Sequence, residues 1–322
     1  MEAPSTRAQT FSITNFTVGP AGVRTLQFPA DTNSYYILYA GAVVTNINQP
    51  AAIALGASGM LQFQDPSPQL GAQFYRVRQV PLNLPLDTDG DGMDDVFELN
   101  YPGCLNPLDA SDATVDCDSD GRSNLQEYFD GTNPILADAL PRIVINEVDY
   151  DQVGTDTTEF LELLNKGTNS VILSHYAAVF INGNDDLEYL RVALNGALAA
   201  GQYLVLASTN VTGIPSTARV ISFAAGTNDI QNGSPDGIAL VNLGRANIMD
   251  SLAYEGAMTA ATINGFTGTY NLVHGTALPT SVADSAAVPG SLARLPNGQT
   301  SGNDSADWAF SGTPTPGAAN LP

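Results

Sequence analysis

Ile143-Val-Ile-Asn-Glu-Val148, followed by Glu159-Phe-Leu-Glu-Leu-Leu-Asn165, is the stretch on which the fold class turns. Both runs are apolar, of strand length, and separated by turn-forming residues. Downstream, Val171 to Ile181, Tyr203 to Ala207, Gly237 to Asn242 and Ser251 to Tyr254 have the same character, with glycine and asparagine turns between them. Upstream, Thr10 to Val18, Thr25 to Phe28, Ser34 to Val44, Ala51 to Ala57 and Gln73 to Val80 repeat it on a smaller scale. With 30 Gly and 20 Pro and only 14% charged residues, the composition is that of turn-rich β structure. A chain of 322 residues is long for one sandwich core, so the pattern predicts two. The expected fold is mainly β: two β-sandwiches, 1–81 and 137–322, joined by residues 82–136.

The joining segment is different in kind. Between Asp87 and Asp130 there are 13 Asp or Glu against one base, Arg122, which is more than half of the net charge of −22. Within it, Asp87-Thr-Asp89-Gly-Asp91-Gly92-Met93-Asp94-Asp95-Val-Phe-Glu98 fits the twelve-position calcium loop. Oxygens fall at positions 1, 3, 5, 7, 9 and 12, with glycine at 6. Asp116-Cys-Asp118-Ser-Asp120-Gly121-Arg122-Ser-Asn124-Leu-Gln-Glu127 repeats the pattern 29 residues later. Alternate carboxylates converge only if the chain curls around a hard cation, and the sixth residue must then take a positive φ, which Gly92 and Gly121 allow. Two Ca2+ sites are expected. Glu98 and Glu127 would close them bidentately, Asp95 and Asn124 would serve at position 9, and Met93 and Arg122 would ligate through carbonyls with side chains turned away. Pro81, Pro85, Pro102 and Pro107 forbid the long flanking helices of an EF-hand, so each loop can be followed only by a short helix.

The paired loops resemble bacterial thrombospondin type 3 repeats and, less closely, dockerins. In the former, acids between loops also contribute, which would make Asp109 and Asp112 additional ligands; turn formation and N-capping are the alternative. Cys104 and Cys117 are the only cysteines and flank one short acidic loop, which suits a disulfide better than a site needing four soft ligands. Two half-buried thiols are the alternative. The disulfide reading, with the absence of a bilayer-length apolar run, leads to an extracellular or cell-surface location without direct membrane insertion.

Phe74-Tyr-Arg-Val-Arg78 resembles the closing strand of fibronectin-like sandwiches. Ile143 to Val148, Glu159 to Asn165 and Val171 to Tyr176 resemble the opening of bacterial lamin tail domains, and later pieces through Trp308 to Asn320 agree. That resemblance implies an immunoglobulin-like domain over about 141–320 and fixes fold better than activity. Glu147, Asp149, Asp151, Asp156 and Glu159 are a candidate third cation site, set against turn-forming, solvated carboxylates. Trp308, the only tryptophan, reads as core rather than as a ligand platform.

With 33 acids against 11 bases and Lys166 the only lysine, nucleic acid is not an expected partner. His175 and His274 sit in no catalytic motif, and no nucleophile elbow, phosphate loop or dinucleotide fingerprint is present. The expectation is a non-catalytic, calcium-binding structural or adhesion protein that self-associates, or engages a protein partner, through its sandwich surfaces. The alternatives are an accessory recognition module of a larger secreted hydrolase, whether nuclease or glycan-degrading, and a dockerin-like partner binder.

Overall fold

The computed structural model describes residues 12–65, 73–223 and 229–321. The predicted stretch Thr10–Phe11 and the end of the tail at Pro322 lie outside them. The chain divides into two compact units, Met1–Tyr128 with Pro134–Leu136, and Phe129–Asn133 with Ala137–Pro322. Among the described residues no helix is long and apolar enough to cross a membrane.

In the first unit the strands are β1 (Asn15–Val18), β2 (Arg24–Ala30), β3 (Ser34–Gly41), β4 (Gln49–Leu55), β5 (Gly59–Gln64) and β6 (Phe74–Pro81). They form two antiparallel three-stranded sheets, β1-β2-β5 and β4-β3-β6. Leu26, Phe28, Tyr36, Leu38 and Phe63 make a core cluster. Alternation sends Tyr35 and Ile37 to the opposite face of β3, where Val80 and the half-buried Leu82, Leu86, Val96 and Leu99 cover them. Strand β3 is therefore buried on both faces, and the acidic segment begins as a layer on this sandwich. Two short helices follow the loops: α1 (Asp95–Leu99), capped by Asp94 accepting from the Phe97 amide at 2.8 Å, and α2 (Asn124–Asp130).

The second unit contains β7 (Ile143–Asp149), β8 (Phe160–Asn165), β9 (Val171–Ile172), β10 (Tyr176–Asn182), β11 (Leu187–Ala193), β12 (Ala197–Leu198), β13 (Tyr203–Ala207), β14 (Arg219–Ser222), β15 (Asp236–Asn242), β16 (Asn247–Tyr254), β17 (Ser291–Arg294), the single-turn α3 (Asp304–Asp307) and β18 (Trp308–Ser311). A six-stranded sheet, β14-β13-β8-β7-β17-β18, and a four-stranded sheet, β11-β10-β15-β16, carry the framework, all antiparallel except β13 with β14. Ile145, Leu163, Phe180, Leu206, Leu240, Leu292 and Trp308 belong to the main core. Trp308 is core, as its sequence position suggested. The outer face of the four-stranded sheet, Ala177, Val179, Ile181, Ala239 and Val241, is covered by Met258, Ala261, Ile263 and Leu272. Burial on both faces explains why β10 and β15 read as continuous apolar runs.

One expectation is corrected here. Val171 to Ile181 is not a single strand: the chain turns at Ser174 and His175, with the Tyr176 amide donating to the Leu173 carbonyl at 2.9 Å, and β9 pairs with β12 instead of continuing into β10.

Candidate metal centre

The two acidic loops share a hydrogen-bond pattern, position for position. At position 1, Asp87 accepts from the amides of Gly90 at 2.7 Å and Gly92 at 3.0 Å, and Asp116 accepts from Ser119 at 2.7 Å and Gly121 at 3.0 Å. At position 3, one oxygen of Asp89 accepts from the Asp91 amide and one of Asp118 from the Asp120 amide. At position 5, Asp91 accepts from the Met93 amide and Asp120 from the Arg122 amide. Gly92 and Gly121 have φ of 100° and 95°, the left-handed turn that the sixth position demands. Position 4 is left-handed as well, at Gly90 and at Ser119 with φ of 65°, which spacing alone did not reveal.

Each loop gathers its carboxylates. One oxygen from each of Asp87, Asp89 and Asp91 lies within 4.8 Å of the others, as do one each from Asp91, Glu98 and Asp112, and from Asp116, Asp118 and Asp120. Oxygens of Asp120 and Glu127 also come within 4.8 Å of each other. In the first loop, Glu98 is fully buried, and neither of its oxygens has a hydrogen-bond partner. The second oxygens of Asp89 and Asp91 and Oδ1 of Asp112 are buried and unpartnered too. A buried acceptor without a donor costs about 1–3 kcal/mol, more when charged, so these five oxygens, in two carboxylate groups that share Asp91, fit the donor set of a hard cation. Burial first, and then the charges of Asp89, Asp91, Asp112 and Asp95, pushes the Glu98 carboxyl up to about 9. Burial also raises Asp89, Asp91 and Asp112. The all-oxygen set fits calcium.

The two inter-loop acids part company. Asp112 joins Glu98 and Asp91, its other oxygen held by the Asn106 amide at 2.7 Å. Asp109 is exposed and folds its carboxylate onto the Ser111 amide and hydroxyl, the turn-forming role that was the alternative reading for it.

Position 9 faces elsewhere in both loops. Asp95 is buried with one oxygen on the Thr88 amide and the other on the hydroxyls of Tyr35 and Thr88, all at 2.8 Å. Its side chain ties the first loop to β3. Asn124 donates to the Asp112 carbonyl at 2.7 Å, tying the second loop to the strand of chain before it. Met93 turns its side chain into an apolar cluster with Leu105 and Ala113. Arg122 departs from the expectation: its guanidinium does not point away but folds back, with Nη2 2.6 Å from Asp120 Oδ2 and 4.0 Å from Glu127 Oε1. A planar cation among carboxylates takes this position because it neutralises them.

Cys104 and Cys117 are joined by a disulfide, with Cα atoms 6.1 Å apart. The candidate third site is not assembled among the described residues. Glu147 is held by Ser291 and Thr315, Glu159 by the amides of Asp229 and Ile230, and one oxygen of Asp149 by the side-chain amide of Gln152. Asp156 accepts from the Gln152 amide. These acids hold strands and loops together and present no common cluster with Asp151. His274 lies 3.1 Å from Asp304, and His175 stands edge-on to Phe129.

No curated protein matches the chain. The family match is shorter at its C-terminal end than the resemblance read from sequence, since β17 and β18 lie beyond it while completing the six-stranded sheet. Residues 137–256 match the family model described as Lamin Tail Domain, and this stretch is similar to that immunoglobulin-like, typically non-catalytic family.

Proposed function

We propose that the chain is a non-catalytic calcium-binding structural or adhesion protein that works outside the cytoplasm. Calcium ions held by Asp87–Glu98 and Asp116–Glu127 order its acidic segment. The observation that carries this reading is Glu98, a fully buried carboxylate with both oxygens lacking a donor and aimed among Asp91 and Asp112. The repeated hydrogen-bond pattern, the short helices and the disulfide support a likeness to thrombospondin type 3 repeats over this segment. Without metal, clustered carboxylates repel and little apolar surface is available to offset them. Ion binding is then folding free energy, about 2.7 kcal/mol per site at a free calcium concentration one hundred times Kd.

Trypsin tests this directly, because Arg122 is the single base in the segment. Cleavage there should be slow in calcium and at least tenfold faster in chelator. Equal rates would contradict the proposal. Size-exclusion of the same samples at matched concentrations reports self-association, and a calcium-dependent shift to a larger species supports the assembly role.

A further inference from the structure

In the second unit, a cavity of ≈ 320 Å³ is lined by Arg142, Lys166, His274 and Arg294 together with Asp250 and Asp307. It thus holds three of the chain's 11 bases, including its only lysine, in a protein of net charge −22. The two acids are already committed. Asp250 takes both oxygens to Arg294 at 3.0 Å and accepts from the Ile145 amide, and Asp307 accepts twice from the Ser301 amide and lies 3.5 Å from Arg294. The remaining charges, Arg142 and Lys166, have no acid.

Their placement is costly. Strand β7 pairs with β8 so that Ile143 lies opposite Asn165, and the Lys166 amide donates to the Arg142 carbonyl at 2.9 Å. Continuing that register sets two cations side by side at the strand ends, where like charges directly opposite are destabilising. Lys166 Nζ donates to the Gly298 carbonyl and to Thr300 Oγ1 at 2.7 Å, leaving one of its three donors over. Arg142 is exposed, and its guanidinium makes no hydrogen bond or ion pair with the described residues. Burial, then the charges of Arg142 and Arg294, lowers the Lys166 ammonium below its ordinary range. An oxyanion removes this cost, and a guanidinium beside an ammonium is a matched pair of donors for one.

We propose that this cavity binds a small oxyanion, the phosphate or carboxylate group of a ligand, held between Arg142 and Lys166. The site is separate from the acidic loops and does not depend on calcium. The test is a titration of the calcium-loaded, 15N-labelled full chain with methyl phosphate in one arm and succinate in the other. Saturable amide shifts confined to Lys166, Ser301 and Gly302 are expected, and the arm that gives them identifies the source of the group. Arg142→Gln, at an exposed position that leaves the fold intact, and Lys166→Met should each weaken binding about tenfold, the loss of one charge-assisted hydrogen bond. Absence of saturable shifts in both arms, or unchanged affinity in Arg142→Gln, would overturn the proposal.

Discussion

Replacing Glu98 by glutamine should move two measurements in opposite directions. The side chain is fully buried beside Asp91 and Asp112, and no protein donor reaches either oxygen. As a calcium ligand it would contribute a full charge in a buried position, where removing one partner of a buried charge pair costs about 3–5 kcal/mol, or roughly 10²–10⁴-fold in Kd. The loss should fall on the first site alone, with Asp116–Glu127 as an internal reference in the same calorimetric titration. Without calcium the sign reverses. The folded-state pKa of about 9 lies above the ordinary 4.5, so the metal-free fold binds this proton more tightly than the unfolded chain does. Stability is therefore lost as pH rises from 4.5 towards 9, and at pH 7 the carboxyl is a burden that glutamine removes. The variant should be more stable than the parent by about 1–3 kcal/mol in chelator, read from urea melts followed by tyrosine circular dichroism. A first-site affinity within twofold of the parent, or a metal-free variant less stable than the parent, would refute the reasoning.

Asp112→Asn should weaken the first site by at least about tenfold, whereas Asp109→Asn, at an exposed turn, should leave both sites unchanged in the same titration. Arg122→Gln should tighten the second site by about tenfold, because the ion no longer displaces a guanidinium from Asp120; an unchanged isotherm would show that Arg122 does not compete. Cys104→Ser with Cys117→Ser should cost about 3 kcal/mol of stability, measured as a lower urea midpoint in calcium. In the second unit, burial raises Glu159 to about 7 and Glu162 to about 8, so its stability should fall between pH 4.5 and 8 and level off above. The fluorescence of the lone Trp308, in that unit's core, follows the transition in calcium-saturated full chain; a rising profile would contradict the assignment.

The β class was legible because strand-length apolar runs need only local patterning. The loops were legible because the twelve-position spacing occurs twice, and the left-handed turns at Gly92 and Gly121 stand where that spacing puts them. What stayed hidden depends on contacts distant in sequence. Strand β11 carries Glu188 and Arg191, which pair with each other at 2.7 Å on a sheet edge and so break up the apolar run that would have announced a strand. Strands β14 and β17 have four residues each and begin and end on polar ones, with no alternation long enough to separate them from turns. The break after Leu173 was masked because β10 is covered on both faces and lacks a period of two. At position 9, spacing could not show that Tyr35, 60 residues away, would engage Asp95. Asp112 and Asp109 looked equivalent in sequence, and only the turn at Asn106 decides which of them reaches Glu98.

Metal analysis after equilibrium dialysis against calcium tests the central claim most directly. Two calcium ions per chain are expected, falling to one in Glu98→Gln at a calcium concentration that just saturates the parent. A chain that retains fewer than two ions at saturation would contradict the account.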